Sequence, residues 1–348
     1  MRLRDMIGRA SAAVDRGVLR FMERKMTSNG PQRTPSDARS RLLWLAEQYR
    51  PALADPGLFF PAPPAAEMTA TAGERRLRAR TTELGWPSTY RVHLPAYREE
   101  HASHTATLDA RARLYRGGER PRTTVICIHG WGGGSFWLEE RAFVVGYLLR
   151  IGLDVCLFQM PFHGERNPRP EQRSGSLFPS SHVVRTNEAF GQAIHDLRAL
   201  AGWLRAEGAP AVGVMGMSLG GYTTALWASI DRQLAFAVPM IPAVSMSALM
   251  WRHGEGSSAR RRAERAGVSQ DLLDGVFEVH SPLTRPAAID RERLLIIAGR
   301  ADRITPPDQA EALWNHWGQP DIHWFPGGHL AQVGRGDAFR SLRRRLQA

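Results

Sequence analysis

The sequence predicts an α/β fold, a mostly parallel sheet flanked by helices, and three observations carry that expectation. Apolar runs without alternation recur at residues 123–128, 155–158, 211–215, 234–240 and 294–298, the pattern of strands covered on both faces. Helix-like stretches stand between them at 139–149, 188–205, 219–229 and 307–317, so strand and helix alternate as right-handed parallel crossovers require. One junction, residues 211–221, passes from an apolar run through a glycine-flanked serine into a helical pattern.

The elements follow in chain order. Residues 1–26 read as an amphipathic helix, with Leu3, Ile7, Ala10, Val14, Val18, Phe21 and Met22 at helical spacing and Arg2, Arg4, Arg9, Arg16, Arg20, Arg24 and Lys25 around them. Such a helix serves for peripheral contact with an anionic membrane, for packing on its own protein, or for oligomerisation. A break at 27–31 and a short helix at 39–49 precede a Pro-rich connector at 51–64, which is expected to be extended and poorly helical. Residues 1–73 therefore form an N-terminal extension, and residues 74–348 the main domain. Within 105–115, Leu108, Ala110, Ala112 and Leu114 alternate with Asp109, Arg111 and Arg113, which indicates a half-buried antiparallel strand. A stretch at about 243–290 lacks strand character and is expected to form a helical cap. In it, 254–266 is polar, Arg-rich and solvated, and 271–279 is helical.

Composition bounds the function classes. The chain has 348 residues, 43 % apolar and 23 % charged, ordinary for a globular protein with a sizeable core. Its formal charge of +12 fits an anionic partner or a coding bias, since Lys25 is the only lysine among 46 basic residues. No zinc spacing, RNP-like aromatic strand or helix-turn-helix pattern accompanies the charge, so nucleic acid is not an expected partner. Cys127 and Cys156 lie in apolar runs, with neither a disulfide framework nor metal-ligand spacing. No apolar run reaches the ~18 residues of a membrane span, and the N-terminus lacks the apolar core of a secretory signal. The expected location is cytoplasmic, with residues 1–26 as a peripheral membrane contact.

The chemistry centres on Gly216-Met217-Ser218-Leu219-Gly220. A G-x-S-x-G sequence between strand and helix makes a tight, strained turn that holds the serine up at the sheet edge. The helix after it aims its amides and dipole at developing negative charge. A serine hydroxyl needs a base, and His329 follows the last predicted strand in a Pro326-Gly327-Gly328 turn. His323 lies within that strand and is expected to be structural. A carboxylate must orient the imidazole; Asp302, just past the run at 294–298 in Gly299-Arg-Ala-Asp302, fits, whereas Asp308 suits the first turn of the next helix. The backbone N–H groups of Leu219 and of Trp131, in His129-Gly-Trp-Gly-Gly133, are the expected oxyanion donors. That Gly-rich loop has no following Gly-Lys-Ser/Thr and is not a phosphate loop. His129 is expected to brace it.

Taken together, His129-Gly-Trp-Gly-Gly, Gly-Met-Ser218-Leu-Gly, Gly-Arg-Ala-Asp302 and Gly-Gly-His329 resemble the oxyanion loop, nucleophile elbow, acid loop and histidine loop of the α/β-hydrolase superfamily, over roughly residues 105–345. The resemblance implies an eight-stranded sheet, an elbow after the fifth strand and a cap insertion. Serine at 218 argues against the branches with a carboxylate nucleophile. The stretch 158–168, with Gln172-Arg173-Ser174, is similar to abhydrolase domain-containing 18-like proteins, a lipid-associated branch.

The expected activity is hydrolysis of a carboxylic ester, a lipid-derived one being a candidate, through an acyl-enzyme on Ser218. No metal or organic cofactor is required. An acyltransferase on the same triad and a non-catalytic membrane or binding scaffold are the alternatives. Met217, Met246, Met250 and Trp251 are candidates for the substrate pocket, with plain packing as the other reading. Arg166, Arg169 and Arg173 either meet an anionic head group or are simply exposed.

Overall fold

The apolar runs become strands at nearly the predicted places in the computed structural model, which describes residues 3–28 and 36–347. The nine strands among the described residues are β1 (Thr69–Ala72), β2 (Arg80–Pro87), β3 (Asp109–Arg116), β4 (Thr124–Ile128), β5 (Asp154–Phe158), β6 (Val212–Met217), β7 (Ala237–Met240), β8 (Leu295–Gly299) and β9 (Asp321–Phe325). They run in the order β1-β2-β3-β5-β4-β6-β7-β8-β9. That is one strand more than eight: β1 is a short, fully exposed edge strand before Glu74, antiparallel to β2. The extra strand moves the serine turn to the end of β6. Pairing is antiparallel from β1 through β3 to β5 and parallel for β5-β4, β4-β6, β7-β8 and β8-β9.

The helices are α1 (Leu3–Ser28), α2 (Ala38–Tyr49), α3 (Pro51–Ala54), α4 (Arg98–Ser103), α5 (Phe136–Ala142), α6 (Val145–Arg150), α7 (Val183–Ala206), α8 (Leu219–Ala228), α9 (Met246–His253), α10 (Ser258–Arg265), α11 (Gln270–Phe277), α12 (Pro307–His316) and α13 (Gly336–Gln347). The stretch at 139–149 is two helices, because Val144 sits in the left-handed region at φ 48° and breaks the hydrogen-bond ladder.

The chain divides into two compact units. One comprises Ala54–Pro239 with Ala287–Leu294, the other Met1–Leu53, Met240–Pro286 and Leu295–Ala348. In the first, β4, β5 and β6 are buried at every position, as parallel strands covered on both faces must be. β3 alternates, with Ala110, Ala112 and Leu114 buried. Helix α7 buries an unusual set of polar side chains that tie down the segment before β3. The carboxylate of Glu188 accepts from Tyr90 Oη (2.7 Å), His93 N (2.9 Å) and Leu94 N (3.0 Å), and Asp196 accepts from Ser88 Oγ (2.6 Å).

The connector at 51–64 departs from the extended form expected of it. Its first half holds α3 and a 3-10 turn at Pro56–Leu58, since Pro51 and Pro56 each stand at a helix start, where no N–H is needed, while 61–64 is non-helical as expected. Phe59 and Phe60 are buried rather than solvated.

In the second unit, α1 is helical as expected but turns a different face inward. Ser11, Ala12 and Asp15 are buried, while Met6, Ala10 and Val14 are exposed. The side chains of Leu3, Phe21 and Met22 lie outside the described residues. The apolar stripe is therefore not the packing face; a row of small residues with one satisfied carboxylate is. Helices α9, α10 and α11 fill the span between β7 and β8. α10 buries none of its residues, as its Arg-rich sequence dictates.

Candidate active site

The elbow belongs to the first unit. Ser218 caps α8 with φ 57° and ψ −114°, a backbone conformation that costs on the order of 1–3 kcal/mol for a non-glycine residue. The flanking glycines make the turn feasible. A Cβ on Gly216 would lie 2.1 Å from Gly220 O, and one on Gly220 would lie 1.9 Å from Ile128 O, so neither position admits a side chain. Leu219 is the first residue of α8, and its N–H has no acceptor within the helix. A Cβ on Gly130 would sit 3.3 Å from Ser218 Cβ, which places the loop after β4 beside the serine. Trp131 follows in that loop. The three residues assigned to attack and to the oxyanion thus share one edge of the sheet, beyond the carboxyl ends of β4 and β6.

Side chains from the stretch after β5, with Glu139 of α5, hold the β4 loop. Gln159 Nε2 donates to Gly134 O (2.7 Å), Ser174 Oγ to Gly133 O (2.6 Å), and Glu139 Oε1 accepts from Gly134 N (3.1 Å). The Trp131 indole donates to Gly175 O (2.7 Å), and the Arg173 guanidinium lies 4.5 Å from its ring centroid. His129 braces the loop as expected. Met160 N donates to its Nε2 (3.1 Å), which leaves the proton on Nδ1, 2.8 Å from Gly130 O. Burial lowers its pKa, so it stays neutral at pH 7 and keeps this tautomer. His163 is fully buried nearby, and burial holds its pKa well below that of a free histidine.

Arg166 overturns its reading as an exposed rim residue. It is fully buried, with Nη2 donating to Asp196 Oδ2 (2.6 Å) and Thr107 O (2.7 Å) and Nη1 to Gln159 O (3.0 Å). A buried guanidinium needs a paired acid; Asp196 supplies it, and the bonds from Nη1 and Nη2 fasten the β5 exit, while Nε is buried without a partner. Arg169 and Arg173 are exposed.

Asp302 and His329, the residues expected to serve as acid and base, both lie in the second unit. Asp302 follows β8 in a tight turn, its Oδ1 accepting from Ile304 N (2.9 Å) and Thr305 N (2.8 Å). Its Oδ2 lies 2.8 Å from His329 Nδ1. Asp302 is 1 % and His329 7 % exposed, so the pair is shielded from competing water. A proton on Nδ1, donated to Asp302, leaves the Nε2 lone pair free to act as base. His323 sits within β9 and has its pKa lowered by burial; Asp308 stands in the first turn of α12, paired with Arg252. Both match the structural roles expected of them.

The four pocket candidates do not share one environment. Met217 ends β6 in the first unit and is buried. Met246, Met250 and Trp251 lie on α9 in the second unit, where Met246 is buried and Met250 is 42 % exposed. Trp251 is half-buried, with Arg260 against its ring face at 4.6 Å. Sequence reading gave no role to Thr305, Gln159, Ser174, Glu139 or Asp15. Thr305 carries a signal in its place three residues after Asp302, and Gln159 and Ser174 in the stretch that bears the narrower resemblance. Among the described residues no cluster of three or more His, Cys, Asp or Glu is arranged to hold a metal, and no helix is long and apolar enough to cross a membrane.

A family model described as alpha/beta hydrolase domain containing 18 matches residues 101–278. An uncharacterized protein of Mycobacterium tuberculosis is 33 % identical over 230 residues, covering 65 % of this chain and 54 % of that protein. The chain thus spans about half the length of the mycobacterial relatives it matches. Among solved structures, acetyl xylan esterase 1 from Thermoanaerobacterium sp. JW/SL YS485 superposes with a TM-score of 0.58 at 16 % identity, over 92 % of this chain and 96 % of that one. An acetyl xylan esterase from Paenibacillus sp. R4 gives 0.59 at 13 % identity, over 90 % and 96 %. The Pyrococcus furiosus esterase Pf2001 gives 0.51 at 18 % identity, over 82 % and 98 %. These likenesses establish the fold as that of the α/β-hydrolases.

Proposed function

The chain belongs to the alpha/beta hydrolase domain containing 18 family, and we propose that it is a serine hydrolase of carboxylic esters, with Ser218 as nucleophile, His329 as base and Asp302 as the acid that orients it. The backbone of Ser218 carries this reading. A non-glycine residue at φ 57° and ψ −114° between a strand and a helix is retained at a cost in stability, and nucleophile elbows are where such a cost has a use.

The reaction proceeds in two steps. Ser218 Oγ attacks the ester carbonyl as its proton passes to His329 Nε2, and Asp302 stabilises the imidazolium through Nδ1. The N–H groups of Leu219 and Trp131 hold the oxyanion, the former reinforced by the α8 dipole. His329 then protonates the leaving alkoxide, and the acyl group remains on Ser218. A water, deprotonated by His329, releases the acid and restores the serine.

The substrate class rests on fold neighbours that are esterases by name, and a lipid-derived ester is its finer form. The surface of α1 suited to peripheral membrane contact is its outward side, where Met6 and Val14 are exposed beside Arg16 and Arg20. The proposal places the protein in the cytoplasm, where Cys127 and Cys156, free and buried, stay reduced. The test is burst kinetics on p-nitrophenyl esters from acetyl to palmitoyl. The wild type should release a burst of one p-nitrophenolate per chain and then turn over, and Ser218→Ala should do neither. A folded wild type without burst or turnover on any ester overturns the reading.

A further inference from the structure

We propose that Asp15, on the N-terminal helix α1, is a positioning residue for the histidine–aspartate pair, an inference that rests on the triad reading above. Asp15 is fully buried (0 % exposed) and, among the described residues, makes no ion pair. A carboxylate in that setting is costly unless it is hydrogen-bonded. Asp15 accepts three bonds from backbone amides of the acid and histidine loops. Oδ2 accepts from Arg303 N (3.1 Å) and His329 N (2.8 Å), and Oδ1 accepts from Leu330 N (3.1 Å).

The geometry of Oδ2 gives the contact its function. One oxygen bridges the amide directly after Asp302 and the amide of His329 itself. The loops that must hold a carboxylate 2.8 Å from an imidazole are therefore fastened to each other behind the side chains that react. Hydrogen bonds are directional, so they fix the backbone more tightly than apolar packing does. The rest of α1 is shaped for the same seat. Ser11 Oγ donates to Ala331 O (3.2 Å). A Cβ on Gly8 would lie 3.5 Å from Pro326 O and 3.7 Å from Ala301 Cβ, so the helix rests closely on both loops. A Cβ on Gly328 would come within 2.6 Å of Asp15 Oδ2, so that residue must be glycine for the bracket to close.

Asp15→Asn changes one atom and breaks the arrangement. The amide presents one oxygen and one NH2 to positions that both face N–H donors, and either orientation sets a donor against a donor. Misplacing a reacting group by ~1 Å costs up to about 100-fold in rate, and a loss restricted to the chemical step lowers kcat while leaving KM in place. Asp154→Asn serves as the matched control. Asp154 is an equally buried carboxylate that accepts from Gly117 N (2.9 Å) and Arg122 N (3.1 Å), but it opens β5, whereas Ser218 follows the end of β6, parallel to β5 through β4.

The experiment measures kcat and KM for ester hydrolysis by the full chain, per active site titrated from the burst amplitude, for wild type, Asp15→Asn, Gly328→Ala and Asp154→Asn. Both bracket variants should lose about 10- to 100-fold in kcat with KM within about twofold, and Asp154→Asn should lose thermal stability but keep its kcat. A wild type that neither bursts nor turns over defeats the triad reading, not the bracket. An active wild type whose two bracket variants retain kcat per titrated site overturns the bracket, whatever their melting temperatures. If Asp15→Asn does not fold, Gly328→Ala decides the matter alone.

Discussion

Asp302 Oδ2 and His329 Nδ1 stand 2.8 Å apart, and Thr305 Oγ1 lies 3.0 Å from each of them. The threonine hydroxyl is also 2.9 Å from Ile241 O, so one side chain joins Asp302, His329 and the residue after β7 in a single network. Asp302→Asn puts an amide where a carboxylate orients the ring, and kcat should fall by about 10⁴-fold. Thr305→Val keeps the shape and removes the hydroxyl. It should cost about 1–2 kcal/mol of stability and a smaller fraction of kcat than Asp302→Asn. Denaturant titration and ester kinetics read the two effects separately.

The strain at Ser218 has a stability signature. Glycine is at ease at φ 57° and alanine is not. Ser218→Gly should be more stable than Ser218→Ala by about 1 kcal/mol, measured by urea denaturation of two equally inactive variants. Equal stability would mean the elbow is relaxed.

Two glycine substitutions should have opposite signs. Gly220→Ala drives a Cβ to 1.9 Å from the Ile128 carbonyl, a backbone atom that cannot step aside, and should abolish labelling of the serine and most soluble expression. Gly202→Ala lies in the exposed interior of α7 with nothing within 4 Å of the new Cβ. It should stabilise the protein by about 0.5–1 kcal/mol through helix propensity. Thermal melts distinguish the two at once.

His280 predicts an acid-sensitive fold. Burial pushes its pKa down to about 3, so in the folded chain it stays neutral while in the unfolded chain it binds a proton below about pH 6.5. The unfolded state then holds more protons, and stability falls as pH drops from 6.5 towards 3. Between pH 8 and pH 5 this residue alone removes about 2 kcal/mol. His280→Gln should flatten the dependence of urea midpoint on pH by that amount; an unchanged slope would place the acid sensitivity in other groups.

Much of the fold is legible in the sequence because its signals are local. Buried parallel strands write themselves as unalternated apolar runs, and β4, β5, β6 and β8 appear within a residue or two of where those runs lie. The pair Asp302–His329 is legible for a related reason, since each residue follows a strand in a glycine-bearing turn. What escapes the sequence depends on partners far along the chain. Asp15 reads as one polar residue on an amphipathic helix, and its partner His329 is 314 residues away. Arg166 looks like surface until Asp196 is found beneath it. The Pro-rich connector reads as extended because nothing nearby shows that Phe59 and Phe60 have a core to enter. The break at Val144 falls on a β-branched residue, with Gly146 already inside the next helix. The helix α1 pattern misleads most, since its most apolar stripe is not the face that packs.

The central claim is that Ser218 is an activated nucleophile, and fluorophosphonate labelling tests it most directly. The account predicts rapid, stoichiometric labelling of the wild-type chain, with the phosphonyl adduct mapped by mass spectrometry to Ser218 and lost in Ser218→Ala and, nearly completely, in His329→Ala. A folded wild type that resists the probe, or an adduct on another residue, would contradict it.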